Sequence, residues 1–449
     1  MQSHESLSGG SPAQSAALQQ AIDTHMAGRL DEAAAIYEAV LEQDPIQPVA
    51  LHYFGIYLHQ VGRHEEAVEK LMLSCALESE DAGWQNDLGN VLFALGRFDE
   101  AEQAYGDALA VAPGDHMVWN NLGAALLQQG KVEEATQSFL RAVGIAPDFA
   151  PALQHLGGIY EAAGDKMQAS HYQCRAYVLP PLEGKSKQML GISFYFLGRQ
   201  QEAAQAYREW LAEEPDNPIA AHMLAACSQL DVPARASDRY VESHFDHYAE
   251  TFESNLLESL GYRGPSLIAE GLALVAQPAR QFEALDIGCG TGLCGPYLAP
   301  FAHTITGVDL AGKMLEKAKS DRQYSRLEKA EIGDYLSRHP LCCDLMTAAD
   351  TMIYFGDLSA VFGQVAGALR PGGYYIFTVE ALTPQDAAPS GFCLHASGRY
   401  RHSRDYVRRH LQENGMEVVH DSDQILREEI RQSVAGMLFV AKRTAQAAG

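Results

Sequence analysis

Phe282-Glu283-Ala284-Leu285-Asp286-Ile287 reads as a buried strand, and a glycine-rich turn, Gly288-Cys289-Gly290-Thr291-Gly292, follows it at once. Glycines there let a ligand approach the backbone N–H groups that open a helix, expected here near Leu293. The literal G-x-G-x-x-G of residues 290–295 is weak by itself, because this turn serves dinucleotides and sulfonium nucleosides alike. Asp286, at the strand end, favours a ligand that carries an ammonium group and would repel a pyrophosphate. A second strand, Thr304–Asp309, ends in an acid 23 residues after Asp286. The two oxygens of Asp309 suit the two hydroxyls of a ribose.

Further strand ends carry further candidates. Leu310 and Met314 follow Asp309 directly, and Ile332-Gly333-Asp334-Tyr335 reads as the end of a third strand. Cys343–Asp350 reads as a fourth strand, opening into Tyr354-Phe355. Ala368–Gly373 is a helix-turn before a fifth strand, Tyr374–Glu380, and the stretches 416–419 and 434–440 suit a final antiparallel pair. Open α/β sheets bind ligands outside the carboxyl ends of their strands, where all these acids fall.

The segment Asp286-Ile287-Gly288-Cys289-Gly290-Thr291-Gly292, with this order of elements after it, is very similar to the class I methyltransferases that use S-adenosylmethionine (SAM). The resemblance implies a Rossmann-like α/β domain with a seven-stranded mixed sheet. It also implies SAM as cofactor, held by Asp286, Gly288, Gly290, Gly292, Asp309, Leu310, Met314, Asp334 and Asp350. Asp334 would stand near the adenine amino group. His244–Phe252 and Leu260–Pro265 resemble the lid that folds over SAM in this family, which adds Tyr248. Methyl transfer needs a base only if the acceptor must lose a proton. His395, Tyr400, His402, Tyr354 and Glu380 are the candidates for the acceptor side. Arg399–Arg409 holds five Arg against one Asp, either a site for an acceptor carboxylate or phosphate or a solvated face. Ala349-Asp350-Thr351-Met352 stands where DNA-adenine and protein-glutamine methyltransferases carry Asn-Pro-Pro-Tyr, which favours a small-molecule, carrier-bound or protein-attached acceptor.

The elements ahead of this domain are repeats. A 34-residue frame from Gln14 carries Ala21, Gly55, Gly89, Gly123, Gly157 and Gly191 at its eighth position. Its fifteenth position is Gly in all six copies, from Gly28 to Gly198, and its twentieth is Ala, from Ala33 to Ala203. Position 24 holds Tyr37, Leu71, Tyr105, Phe139, Gln173 and Tyr207, expected to fill the seam to the next repeat. Pro at position 32, replaced only by Ser79, stops the second helix. Each small residue at position 8 lets two helices approach. The pattern, including Trp119-Asn120-Asn121-Leu122-Gly123, closely resembles the tetratricopeptide (TPR) family and implies an all-α solenoid. Together the halves, over residues 14–443, resemble a group of predicted methyltransferases with TPR repeats, a resemblance that includes Gly398–Ser403 and implies no particular acceptor.

The expected organisation is therefore a disordered tail at 1–13, six TPR repeats over 14–217, a capping helix and linker at 218–237, and the methyltransferase domain at 238–443. The formal charge of −25 argues against a nucleic-acid partner. Residues 1–217 hold 12 basic and 30 acidic residues, which favours a basic or neutral partner for the solenoid. Asn86, Asn90, Asn120, Gln154 and Glu161 are candidates to bind an extended peptide in its groove, with homodimerisation through the same face as the competitor. No Cys-x-x-Cys or His cluster calls for a metal, and no apolar run reaches the ~20 residues of a membrane span. The polar, Ser/Gly-rich start lacks signal-peptide character, so the cytoplasm is expected. The alternative to an enzyme is a TPR adaptor with a silent SAM-binding module, with an NAD(P) reductase a distant third.

Overall fold

The structure, a computed structural model, describes residues 12–248, 261–321, 323–386, 388–429 and 432–444. It divides into two compact units, residues 1–181 and 182–449.

The first unit is a run of helix pairs: α1 (Pro12–Met26) with α2 (Leu30–Gln43), α3 (Pro48–Gln60) with α4 (His64–Leu77), α5 (Ala82–Ala94) with α6 (Phe98–Val111), α7 (His116–Gln128) with α8 (Val132–Ile145), and α9 (Ala150–Ala162) with α10 (Lys166–Tyr177). The glycine ending each first helix is left-handed, with φ between 76° and 85° at Gly28, Gly62, Gly130 and Gly164. The residues at positions 8 and 24 meet inside one repeat. A Cβ on Gly89 would lie 2.5 Å from the Tyr105 ring, and one on Gly123 2.8 Å from the Phe139 ring. Phe139 also stacks on His155 of the next repeat at 4.5 Å, so the aromatic fills both its own helix crossing and the seam. Burying such a ring completely stabilises by roughly 1.5–3 kcal/mol, and Tyr37, Tyr105 and Phe139 are all fully buried. The groove amides are partly spent on one another: Asn121 donates to Asn86 at 3.0 Å and to Asn90 at 3.2 Å.

The sixth helix pair, α11 (Lys187–Phe196) and α12 (Gln200–Glu213), lies on the far side of the division, in the second unit. Residues 178–186 precede it where 146–149 sufficed between α8 and α9, and its first helix is shortened to 10 residues. Periodicity reports the local pairing of helices and is blind to this partition. Two further helices follow, α13 (Pro218–Ser228), N-capped by the Asn217 side chain, and α14 (Asp238–Tyr248). Residues 231–237, expected as a plain linker, bridge at Arg235 to Phe355.

Among the described residues the sheet of this unit has nine strands: β1 (Phe282–Ile287), β2 (Ala302–Asp309), β3 (Arg326–Lys329), β4 (Cys343–Ala348), β5 (Leu369–Ala381), β6 (Phe392–Leu394), β7 (Tyr400–His402), β8 (Met416–Glu429) and β9 (Gln432–Arg443). The order is β3-β2-β1-β4-β5-β7-β6, with β9 antiparallel to β5 and paired to β8. The expected seven strands are all present. The count rises to nine because the β6–β7 hairpin, two strands of three residues each, joins the end of β5 at Glu380 and Ala381. Alternation over three residues is too short to stand out in a sequence. Ile332-Gly333-Asp334-Tyr335 is not a strand end. It opens the helix Ile332–Arg338, with Glu331 as N-cap accepting from the Asp334 N–H, while β3 closes earlier at Lys329. Residues such as Phe377, Phe439 and Met346 fill the core between sheet and helices.

Candidate functional site

A cavity of about 350 Å³ opens where β1, β2 and β4 end. Its floor is the glycine turn. Gly288 has φ 68°, and a Cβ there would lie 2.3 Å from Thr351 Oγ1, so backbone conformation and close approach both demand glycine. Thr351 in turn donates to the carbonyl of Ile287 at 3.1 Å, which pins β4's exit to β1's. A one-turn helix, Gly295–Leu298, follows the turn.

Asp309 stands at the end of β2 on the cavity edge, 9% exposed. One carboxylate oxygen accepts from Gly290 N–H at 2.9 Å and the other from Ala311 N–H at 2.8 Å. Burial pushes its pKa up, against the pull of those backbone N–H groups. Each carboxylate oxygen has a second lone pair, so the group is aimed by the backbone and still able to accept from a ligand. Leu310, Met314 and Ile332 add an apolar flank. Thr291, 5% exposed, also lines the cavity, and its hydroxyl has no partner among the described residues. A helix segment covers one side: Val241, His244 and Phe245 of α14 line the cavity, and Asp246 accepts from Lys313 N–H at 3.1 Å.

Of the expected cofactor residues, Gly288, Gly290, Asp309, Leu310, Met314 and Asp350 line this cavity. Asp286, Gly292 and Asp334 do not. Asp286 is 1% exposed behind the turn, with Tyr324 donating to one oxygen at 2.6 Å and Thr347 to the other at 2.7 Å. Both oxygens are thus taken by neighbouring hydroxyls off the cavity, so Asp286 braces the turn from within, and burial raises its pKa to about 6. Gly292, φ 95°, is turned toward Tyr324. Asp334 is exposed on its helix, and Glu331 occupies the cavity wall it was expected to reach. The side chain of Tyr248 and residues 249–260 lie outside the described residues.

Among the expected acceptor-side residues only Tyr354 reaches the cavity, where burial raises its pKa to about 12. Tyr400 is fully buried and donates to the carbonyl of Pro233 at 2.7 Å. His402 is also fully buried, its Nε2–H donating to the carbonyl of Gly356 at 3.1 Å, and burial lowers its pKa to about 4. His395 Nδ1 accepts from Ser397 N–H, and burial lowers it as well. The β6–β7 hairpin turns all three away from the cavity. The histidine that lines it, among the described residues, is His244.

The opposite wall is an ion network that the sequence did not announce. Arg427, 3% exposed, reaches Asp350 at 2.5 Å, Glu429 at 2.6 Å and Glu380. Arg399 binds Glu380 at 2.7 Å and Glu429 at 2.5 Å. Burial alone would raise Glu380, but Arg399 and Arg427 outweigh it and hold the carboxyl below its ordinary value. Arg427 owes its place to a β-bulge between Ile425 and Arg427, which turns two successive residues inward. The arginine-rich stretch is likewise spent internally: Arg401 on Asp386, Arg404 and Arg408 on Asp421, with Arg409 over the Tyr406 ring. Arg409 apart, an acceptor carboxylate or phosphate would find these guanidinium groups already paired.

Residues 86–149 match the family model described as tetratricopeptide repeat, and residues 285–377 match the one described as methyltransferase domain. The chain is similar to the "Probable S-adenosylmethionine-dependent methyltransferase CRG1" of Saccharomyces cerevisiae, 28% identical over 141 residues, 30% of this chain and 47% of that one. It is similar to a "Ubiquinone biosynthesis O-methyltransferase" of Thiobacillus denitrificans, 29% identical over 100 residues, 21% of this chain and 43% of the other. The chain thus spans about half the length of the curated relatives it matches. Among solved structures, MamA is 25% identical over 35% of this chain and 91% of its own, with a TM-score of 0.34. No helix among the described residues is long and apolar enough to cross a membrane.

Proposed function

We propose that this chain, which carries tetratricopeptide repeats and a methyltransferase domain of the SAM-dependent kind, transfers a methyl group from SAM to an uncharged small-molecule or carrier- or protein-linked acceptor, while its solenoid binds a protein partner. The observation that carries the reading is the aimed Asp309 carboxylate beside the glycine turn, with the unpartnered Thr291 hydroxyl in the same cavity. These residues fit the cofactor. Asp309 would hold the ribose hydroxyls, Leu310, Met314 and Ile332 the adenine, and Thr291 with the turn's N–H groups the polar tail. Bound SAM supplies a methyl group already activated on a sulfonium.

The chain's own contribution is placement and dryness, which suffice for much of the rate in a displacement of this kind. Phe245, Tyr354 and Phe355 offer an aromatic face to the acceptor, and the ion pairs of Arg399 and Arg427 fix the wall across from Phe245. The paired arginines argue for a neutral acceptor, and the O-methyltransferase name of the relatives agrees with a hydroxyl. Where a proton must leave, His244 is the base, because Tyr400, His402 and His395 lie off the cavity and burial raises the Tyr354 hydroxyl to about 12. The first measurement is calorimetric titration of the full-length protein with S-adenosylhomocysteine, beside Asp309→Ala. Micromolar binding that the variant loses supports the site. A folded wild type that binds nothing overturns it in favour of a repeat adaptor with a silent module.

A further inference from the structure

Helix α13 closes the repeat text, yet its side chains serve the sheet domain within the second unit. His222 on this helix is 5% exposed. Its Nε2–H donates to the carbonyl of Gly398 at 2.8 Å, which fixes the tautomer because a carbonyl only accepts. The same ring stacks on Tyr240 with centroids 3.9 Å apart and meets Tyr400 edge-on at 6.4 Å.

Its two nearer partners, Gly398 and Tyr240, belong to elements that line the cofactor cavity. Gly398 forms the tip of the β6–β7 hairpin at φ 83°, and a Cβ there would lie 2.9 Å from Met223 Sδ and from Tyr240 Oη. The next residue, Arg399, lines the cavity and joins Glu380 to Glu429. Tyr240 belongs to α14, whose Val241, His244 and Phe245 line the cavity from the other side. From Tyr240 the contacts continue through rings: His244 at 5.5 Å, Phe245 on His244 at 5.4 Å, and Tyr354 on Phe245 at 5.5 Å. One imidazole outside the cavity therefore fastens its arginine wall to its covering helix.

We propose that His222 is a positioning residue of the methyltransferase site, so that the helix ending the repeat array sets how tightly the covering helix α14 closes on the cofactor. The inference rests on the cofactor reading above. Its two contacts can be separated: His222→Gln keeps a donor for the Gly398 carbonyl, His222→Phe keeps the ring on Tyr240, and His222→Ala removes both. The matched control is His52→Ala in the first unit, another buried histidine, stacked on Trp84 at 4.6 Å.

Full-length variants are titrated with S-adenosylhomocysteine, and hydrogen exchange is followed over 238–246 and 392–402. His222→Ala is expected to weaken binding about ten-fold, a coupling typical of directly linked residues, and to speed exchange in both segments. The Gln and Phe variants, which disturb packing less, each recover part of the affinity, while His52→Ala lowers the melting temperature and leaves affinity unchanged. A wild type that binds and His222 variants that bind equally well overturn this proposal alone. A wild type that does not bind overturns the cofactor reading instead. Equal losses for His222 and His52 variants reduce His222 to a general packing role and refute the proposal.

Discussion

Replacing Arg427 by Met tests whether the ion network is a structural wall. The residue is 3% exposed and meets three carboxylates, but they differ in what remains after its removal. Glu380 keeps Arg399 at 2.7 Å, and Glu429 keeps Arg399 at 2.5 Å. Among the described residues Asp350 keeps the Thr378 hydroxyl, at 3.0 Å, and the unbonded attraction of Arg399, and it sits at φ 49°. One buried carboxylate is thus left without an ion-pair partner, a loss of about 3–5 kcal/mol. For a unit of this size that lowers the melting temperature by roughly 10 °C. Adding Asp350→Asn removes the orphaned charge and is expected to return at least half of the loss. Scanning calorimetry reads the four species of the cycle. Hydrogen exchange at the amides of β5 and β9 assigns the change to the sheet, separately from the helical unit. A loss below about 1 kcal/mol, or no recovery in the double variant, would refute the view that Asp350 depends on Arg427.

Two further predictions concern the turn and the buried titrating groups. Gly288→Ala forces an L-residue to φ 68° with its Cβ 2.3 Å from Thr351 Oγ1, so S-adenosylhomocysteine binding should vanish and stability fall by several kcal/mol, about 1–3 of it backbone strain; retained affinity in titration would contradict the close approach. Asp286, raised to about 6, is protonated in the folded chain where the unfolded chain is not, so its contribution to stability falls as pH rises from about 4 to 6. His402, lowered to about 4, works the other way, its contribution rising with pH from about 4 to 6.5. Thermal melts across pH 4–8 should show Asp286→Asn gaining most over wild type above pH 6, and His402→Gln gaining most below pH 5. Difference curves that are flat in pH would show that neither group titrates as its burial requires.

Local chemistry is what the sequence alone determined. A helix pair every 34 residues needs only the small residue, the turn glycine and the ring at fixed offsets, and the strand–glycine–acid text from Phe282 to Asp309 is likewise local. Hence the solenoid, the α/β domain, the glycine turn and Asp309 were all legible. Asp286 was legible as an acid but not as a buried one, since Tyr324 and Thr347 reach it from 38 and 61 residues away. The ion-paired wall of the cavity depends on longer range still. Arg427 faces inward because of a bulge, and it meets Asp350 across 77 residues of chain. His222 meets Gly398 across 176. No periodicity encodes such pairs, because each is chosen by which elements the sheet brings together and which polar groups must then be satisfied. The tertiary structure decided those partners, and with them the grouping of the sixth helix pair and α13 with the sheet in one compact unit.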